Sequence, residues 1–488
     1  MLFSRLLEKI EYRESVLDCE VNHITNDSRE AIVGSIFVCI KGFATDGHLY
    51  AKKAYENGCR AFVCEREIEL PSDASVVVTE NSRKALAILS SELYSNPSKE
   101  LIVIGITGTK GKTTTALMIK QLLDASGFSC GYIGSNGVIY ADKKLDAENT
   151  TPESYKLQNY MRNMVDCGTR ALVMEVSSQA LKLNRVFGID FDITVFTNLS
   201  PDHIGPGEHE NFNDYFNTKK RLFDDFECKA VIANADDSYT KSILADCKSR
   251  ILLYSINALS DYKAENVEFC RKTDFLGMKF RCRKAEETLD CALSVPGEFN
   301  VHNALSCLAV ADVLGINPDF AAKTLENMGI EGRFEVISAP NGACFVIDYA
   351  HNGLSLESAL NALRKYEPSR LVCLFGSVGC RTQIRRAQMG EVASRCADFS
   401  ILTSDNPATE SPMDIINEIA EQYQDPDSYI AIPDRKEAIE YAYRISGEGD
   451  IILLAGKGHE KYQLIGKNKE YFCERDIVEN CINSMKYV

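Results

Sequence analysis

The run Leu101-Ile102-Val103-Ile104-Gly105-Ile106-Thr107 leads directly into Gly108-Thr109-Lys110-Gly111-Lys112-Thr113-Thr114. An apolar run that ends in a glycine-rich turn and reopens as a helix is the layout of a phosphate cradle. Glycines let backbone N–H groups approach an anion, and the helix aims its positive end at it. In such a cradle Lys112 reaches the outer phosphates and the Thr113 hydroxyl faces a magnesium ion. The pattern G-x-x-x-x-G-K-[ST] requires glycine at position 106, where this chain has Ile106, so the loop is a shorter variant. The order strand, loop, helix predicts that Gly108, Thr109, Lys110, Gly111, Lys112, Thr113 and Thr114 hold ATP.

With 488 residues the chain is too long for one ordinary domain, and three are expected. Its 45% hydrophobic and 25% charged residues read as a globular protein. A net charge of −16 argues against nucleic-acid and anionic-membrane partners, while a local arginine cluster still permits an anionic substrate. No apolar run approaches the roughly 20 residues of a membrane span. Met1–Ser15 lacks the apolar core of a signal peptide, so a cytoplasmic location is expected; the chain is also expected to be a monomer. The 18 cysteines are scattered without a C-x-x-C pair and read as reduced core residues; zinc is not expected.

An α/β architecture of three segments follows: residues 1–98, 99–333 and 334–488. The first alternates short strands (Ser35–Ile40, Ala61–Cys64, Ser75–Val78) with helices (Leu49–Asn57, Arg83–Tyr94) and closes at the polar turn Ser95-Asn96-Pro97-Ser98. The second holds the phosphate loop and buried strands at Ala171–Val176, Ile193–Leu199 and Ala230–Ala233. The third holds strands at Cys344–Ile347, Arg370–Phe375, Phe399–Leu402 and Asp450–Leu454. Helices between buried strands predict mainly parallel sheets covered on both faces, Rossmann-like in the last segment. Polar clusters follow the strands at their carboxyl ends, where open α/β sheets bind ligands: Glu175–Ser178, Thr197–His203, Asp348–His351, Ser404–Pro407 and Gly456–Glu460.

Magnesium with a nucleotide favours oxygen ligands, so Thr113 and Glu175 are natural candidates. His203 is either a ligand or a strand-end hydrogen-bonder. Lys219, Lys220 and Arg221 read first as a solvated basic face. Arg381, Arg385 and Arg386, after a glycine loop, are either surface charge or a fork for carboxylate or phosphate. Asp348, His351 and Asn303 have plain loop or helix-start readings. The residues alone therefore reach a magnesium-dependent, ATP-using enzyme whose second substrate is undefined.

Taken together the motifs resemble the Mur ligases of the MurE type, which add the third amino acid to the UDP-N-acetylmuramoyl dipeptide of peptidoglycan. The resemblance rests on Asn26–Arg29, Asp46-Gly47-His48, the phosphate loop, Thr150-Thr151-Pro152, Met174–Ser178, Asp202-His203, Lys219 ahead of Leu222-Phe223, Gly332-Arg333, Asp348–His351, Asp405-Asn406-Pro407 and Gly456–Glu460. It implies that residues 1–98 bind the UDP-sugar nucleotide, 99–333 form the ATP-binding ligase domain, and 334–488 bind the amino acid. Ser28, Asp46, Gly47 and His48 would hold the uridine nucleotide, and Thr150, Thr151, Ser177 and Arg185 the muramoyl dipeptide. Glu175 and His203 would bind Mg2+ together with Lys219, which would carry a carbamate (N6-carboxylysine). Asn303, Arg333 and Asp348 would contact ATP. Arg381, Asp405, Asn406, Pro407, Ala408, Gly456 and Glu460 would surround the incoming amino acid. The implied reaction passes through an acyl phosphate, with Lys112, Lys219 and His203 as the catalytic set.

Members that use meso-diaminopimelate usually read Asp-Asn-Pro-Arg, whose arginine grips the distal carboxylate. This chain reads Asp405-Asn406-Pro407-Ala408, so L-lysine is expected first, with meso-diaminopimelate and L-ornithine as alternatives. Gln179 and Cys380 depart from the frequent histidine and aspartate, and Ile204–His209 departs from the commoner loop. Folylpolyglutamate synthase shares a similar phosphate loop but lacks the N-terminal segment. A non-catalytic muramoyl-nucleotide binder would have lost Lys112, Glu175, His203 or Lys219, and this chain retains all four.

Overall fold

The computed structural model describes residues 1–13, 17–43, 45–146, 148–202, 204–205, 207–272, 275–380 and 383–484. The chain falls into two compact units, Met1–Tyr262 with Ser306–Ile316, and Lys263–Leu305 with Asn317–Val488.

In the first unit the strands His23–Thr25, Ser35–Val38, Ala61–Cys64 and Ser75–Val78 pair in parallel in that order. Side chains of a strand alternate between faces. Accordingly Ile36, Val38 and Val63 pack with Leu86 and Leu89 on one face, while Phe37, Phe62 and Cys64 pack with Ala51 and Ala54 on the other. A second sheet orders Ile251–Ser255, Ala230–Asn234, Ile193–Phe196, Ile102–Thr107, Ala171–Glu175 and Cys130–Gly134, all parallel. An antiparallel hairpin, Gly137–Tyr140 and Lys143–Leu145, closes that edge. The phosphate-loop strand is thus interior. Its register sets Thr107 beside Phe196 and Ile106 beside Glu175. Three strands therefore deliver their carboxyl-end residues to one place.

The second unit carries an antiparallel ribbon, with Phe275–Lys284 paired to the strand that ends at Lys272 and to Glu287–Leu293. Its main sheet orders Glu335–Ser338, Cys344–Asp348, Ile451–Ala455, Leu371–Phe375, Phe399–Leu402 and Tyr429–Ala431, parallel except for the first pair.

The ribbon has no counterpart among the strands expected from the sequence. Charged residues fill its outward positions, and a register shift between Glu265 and Glu268, with Asn266 at φ 52°, breaks the period of two. The expected strand Ile193–Leu199 stops at Phe196 because the residues after it turn to hold the phosphate loop. The cysteines are all free, but only nine of the 18 are buried; Cys167 and Cys380 are exposed. Among the described residues no helix is long and apolar enough to cross a membrane.

Candidate active site

Gly108 (φ 151°) and Gly111 (φ 84°) adopt backbone conformations that side chains disfavour. A Cβ at Gly108 would collide with Thr197 Oγ1. The loop is held in shape from the neighbouring strand end. Lys110 N–H donates to Asn198 Oδ1 at 2.9 Å, and Asn198 Nδ2 donates back to the Lys110 carbonyl at 3.0 Å. Thr197 Oγ1 donates to the same carbonyl at 2.7 Å. Thr109 Oγ1 accepts the Ser200 N–H at 3.0 Å. Gly111 then caps the helix Lys112–Ala125 without a side-chain hydrogen bond, and a helix N-terminus is a favourable place for an anion.

Two lysines meet at this loop. Lys112 Nζ donates to the carbonyls of Gly108 (2.9 Å) and Thr109 (3.1 Å), and Lys219 Nζ donates to the Gly108 carbonyl at 2.9 Å. The helix Phe212–Asp224 buries Tyr215, Thr218, Lys219, Leu222 and Phe223, a 3–4 spacing that makes one stripe. Lys219 lies inside that stripe and is 1% exposed. The reading of Lys219 as part of a solvated basic face is therefore corrected. Burial first, and the charge of Lys112 second, hold its amine well below the ordinary lysine pKa. Lys220 does point outward, into ion pairs with Asp224 (2.6 Å) and Asp246 (2.5 Å).

Glu175 ends its strand almost fully buried. Its Oε1 accepts from Tyr132 Oη at 2.6 Å and from Ser135 N–H at 2.9 Å; its Oε2 accepts a longer bond from Ser135 Oγ at 3.4 Å. Thr150, Thr151, Ser177 and Arg185 gather around it. Thr151 Oγ1 donates to the Glu175 carbonyl (2.8 Å), Ser177 N–H donates to Thr151 Oγ1 (3.1 Å), and Arg185 Nη1 donates to the Thr151 carbonyl (3.1 Å). Thr150 joins through Ser135 Oγ at 3.1 Å.

The helix that carries Lys219 is pinned at its start by Asp214. Lys182 (2.7 Å), the Glu210 N–H (3.1 Å) and His209 (3.2 Å) surround that carboxylate. Chiefly through the hydrogen bond from Lys182, its pKa falls from the ordinary 3.8 to about 2. A depressed carboxylate contributes stability above its unfolded pKa and loses it as pH falls through the folded one. Asp214→Asn is therefore expected to lower the melting temperature at pH 5–7, with the gap to the parent closing as pH drops below about 3. A gap independent of pH would show that the ion pair contributes nothing.

In the N-terminal sheet a cavity of about 530 Å³ is lined by Asn26, Ser28, Gly47, Tyr50 and Arg83 among others. His48 does not line it. Its Nδ1 is 2.7 Å from Asp46 Oδ1 and its Nε2 accepts the Glu65 N–H at 3.1 Å, so the ring braces the wall behind Gly47.

In the second unit Arg333 lies over the Tyr349 ring, 4.8 Å from its centroid, and Asp348 Oδ2 accepts the Phe334 N–H at 3.0 Å. Burial raises the Asp348 pKa against the pull of Arg333. A Cβ at Gly332 would strike the Gly458–His459 backbone, so glycine lets these two loops touch. Asn303 is buried and donates to Asn300 Oδ1 at 2.9 Å. Beside them Asn406 Nδ2 donates to Glu460 Oε2 at 2.9 Å, joining the Asp405–Pro407 turn to the Gly456–Glu460 loop. Lys457 binds both: its Nζ lies 3.0 Å from Asn406 Oδ1, 3.3 Å from Glu460 Oε2 and 3.6 Å from Asp405 Oδ1. Arg386 is not surface charge; it is buried between Glu410 (2.6 Å) and Glu418 (2.9 Å). His203 and Arg381 lie outside the described residues. Asn198, Lys457, Arg435 and Glu474 carry structural work that the sequence reading did not assign. Only Asn198 and Lys457 stand in motifs that could have flagged them.

A preshaped phosphate loop at the carboxyl edge of an interior parallel strand, with a second lysine buried against it, defines a nucleotide-using α/β enzyme. Comparison with known proteins narrows the class. Residues 20–94 match the model described as Mur ligase family, catalytic domain; 106–311 match the Mur ligase middle domain; and 332–458 match the Mur ligase, glutamate ligase domain. The UDP-N-acetylmuramoyl-L-alanyl-D-glutamate--2,6-diaminopimelate ligase of Clostridium botulinum is 39% identical over 96% of both chains. The enzyme of that name from Clostridium perfringens is 37% identical over 98% of this chain and 99% of its own. A solved structure of a ligase so named superposes with a TM-score of 0.72 at 28% identity, covering 96% of each chain. A Mycobacterium tuberculosis folylpolyglutamate synthase shares the fold alone, with a TM-score of 0.60 at 16% identity over 77% of this chain. The chain belongs to the Mur ligase family, with the three-domain α/β fold and the ATP-dependent, peptide-bond-forming activity of that family.

Proposed function

We propose that this protein joins a diamino acid to the D-glutamate of UDP-N-acetylmuramoyl-L-alanyl-D-glutamate, in the cytoplasm, as a step of peptidoglycan precursor synthesis. Its full-length similarity to ligases named for that substrate supports the reading. We take residues 1–98 as the nucleotide-substrate domain, 99–333 as the ATP domain and 334–488 as the amino-acid domain.

Lys219 is the observation that carries the proposal. A buried amine against a phosphate loop costs folding energy, and its lowered basicity raises the share of neutral amine that can react with carbon dioxide. As a carbamate it becomes an anionic oxygen donor. With the Thr113 hydroxyl and the less engaged Oε2 of Glu175 it would offer oxygen donors of the kind that suit magnesium, and His203, which lies outside the described residues, is the further ligand of the proposed set. Bound magnesium would neutralise charge on the transferring phosphate. Lys112 serves the outer phosphates, and the loop N–H groups orient them. The D-glutamate carboxylate attacks the γ-phosphorus of ATP, ADP leaves, and an acyl phosphate forms. The α-amine then attacks the acyl carbon, inorganic phosphate departs, and the nitrogen loses its proton.

L-Lysine is the amino acid we propose first. Ala408 offers no fork for a distal carboxylate, and the neighbouring Arg386 is already taken by Glu410 and Glu418. The relatives, named as 2,6-diaminopimelate ligases, favour a second reading, meso-diaminopimelate. Phosphate release with ATP, magnesium, the UDP-dipeptide and each amino acid in turn separates the two, with product mass as the check. At least about tenfold higher kcat/KM with lysine is expected, matching one missing charge-assisted contact. Ala408→Arg should move that ratio toward meso-diaminopimelate by about tenfold. Faster turnover of meso-diaminopimelate by the parent protein would overturn the lysine reading alone. No release with any diamino acid would overturn the substrate assignment.

A further inference from the structure

Arg83 is the second residue of the helix Ser82–Leu93 and stands in the wall of the 530 Å³ cavity that also exposes Ser28, Gly47 and Tyr50. Two of the helix's first N–H groups already have acceptors: Asn81 Oδ1 accepts the Lys84 N–H at 2.9 Å, and Glu65 Oε1 accepts the Ser82 N–H (2.9 Å) and Oγ–H (2.8 Å). The full positive charge presented here is that of the Arg83 side chain. Its contact with Glu153 is 3.9 Å, the outer limit of an ion pair, whereas Arg185 holds the same carboxylate at 2.7 Å. Two guanidinium groups thus share the Glu153 carboxylate, with Glu65 as a further negative charge on the Arg83 side, and the ion-pair contact of Arg83 is the loose one. Arg83 and Glu153 are both mostly shielded, at 19% and 22% side-chain exposure, so water only partly screens the charge that Arg83 turns to the cavity. Arg29, the other arginine of the cavity wall, is already clamped onto Asp27 by bonds of 2.6 to 3.1 Å. On the Arg185 side the guanidinium also donates to the Thr151 carbonyl, and its Nε is buried without a hydrogen-bond partner among the described residues.

We propose that Arg83 binds the diphosphate of the nucleotide substrate, and that Glu153 links that event to Arg185. This rests on the nucleotide reading of the cavity given above. A diphosphate is a compact dianion that a guanidinium fork matches in charge and geometry. When Arg83 turns to it, Glu153 is left to Arg185 alone, which fixes Arg185 beside Thr151 and Ser177 for the sugar-peptide end of the same substrate. Arg83 is thus a specificity residue for phosphorylated over unphosphorylated uridine compounds, and Glu153 is a positioning residue.

Titration calorimetry on the full chain tests this, with UDP and uridine as probes and the phosphate loop saturated by magnesium and a non-hydrolysable ATP analogue. The parent protein should bind UDP at least tenfold more tightly than uridine. Arg83→Gln should reduce that preference below about threefold with uridine affinity unchanged, and should raise the KM for the UDP-dipeptide at least tenfold while the KM for ATP stays within twofold. Should Arg83→Gln fold poorly by its melting curve, Arg83→Lys serves instead. It keeps the charge, loses the fork, and should show an intermediate preference. A variant that keeps the full UDP preference overturns the role of Arg83 and leaves the nucleotide reading intact. A parent protein that binds neither probe overturns the nucleotide reading and the inference with it.

Discussion

Replacing Lys219 with methionine is expected to lower kcat by about 1000-fold, the scale lost when a group that stabilises transition-state charge is removed. The same change should raise the melting temperature at pH 7. The two effects share one cause. A lysine whose pKa is lowered on folding binds its proton more strongly in the unfolded chain. The folded state is therefore penalised below the ordinary lysine pKa, and stability rises with pH between the folded and unfolded values. Methionine keeps the aliphatic contacts of the stripe with Tyr215, Leu222 and Phe223 and removes that penalty. Lys220→Met, one residue along but on the solvent side, should change kcat less than twofold. Removing bicarbonate and carbon dioxide from the buffer should slow the parent protein reversibly, because a carbamate needs the free gas to form. An active Lys219→Met protein would end the proposed role of this residue; an inactive one that is less stable than the parent would refute the linkage argument while sparing the catalytic one.

The second large effect concerns Arg435, a fully buried arginine that touches no candidate ligand site directly. It donates to Glu474 at 2.8 and 2.9 Å, to the Ser404 carbonyl at 3.2 Å and to the Ala455 carbonyl at 2.8 Å. Those two carbonyls immediately precede Asp405 and Gly456, where the candidate amino-acid loops begin. Arg435→Met leaves Glu474 buried without its counter-ion and should cost about 3–5 kcal/mol of stability. Arg435→Met combined with Glu474→Leu should recover much of that loss, since a buried ion pair is worth little more than well-packed apolar groups. Chemical denaturation of the two variants measures the difference. Equal stability of single and double variants would mean that water reaches Glu474 once the arginine is gone.

Much of this architecture can be read from the chain. Ala61–Cys64, Ser75–Val78 and Phe399–Leu402 are apolar runs with polar borders, and their bounds agree with the strands observed. The polar clusters expected at strand ends do stand there, because a parallel sheet gives all its strands the same direction. Burial of charged groups is harder to read. Lys219 has neighbours at 3–4 spacing that mark a buried stripe, yet its charge argues for solvent, and spacing proved the better guide. Arg386, Arg435 and Glu474 sit in stretches where charge is ordinary; only their partners, 24 to 39 residues away, make burial tolerable. His48 shows the converse. Its place in a motif suggests a ligand, but both ring nitrogens are occupied within the fold.

Ala408 sits at φ 53°, its N–H donating to Leu464 at 3.0 Å and its carbonyl accepting from Gly466 at 2.8 Å. The turn is therefore held by its main chain, and the methyl group contributes almost nothing to its shape. A substitution here can therefore change what the position offers to its surroundings while both main-chain bonds of the turn stay in place. If Ala408 faces the amino acid as proposed, a change of preference at this residue asks nothing new of the hydrogen bonds that hold the loop.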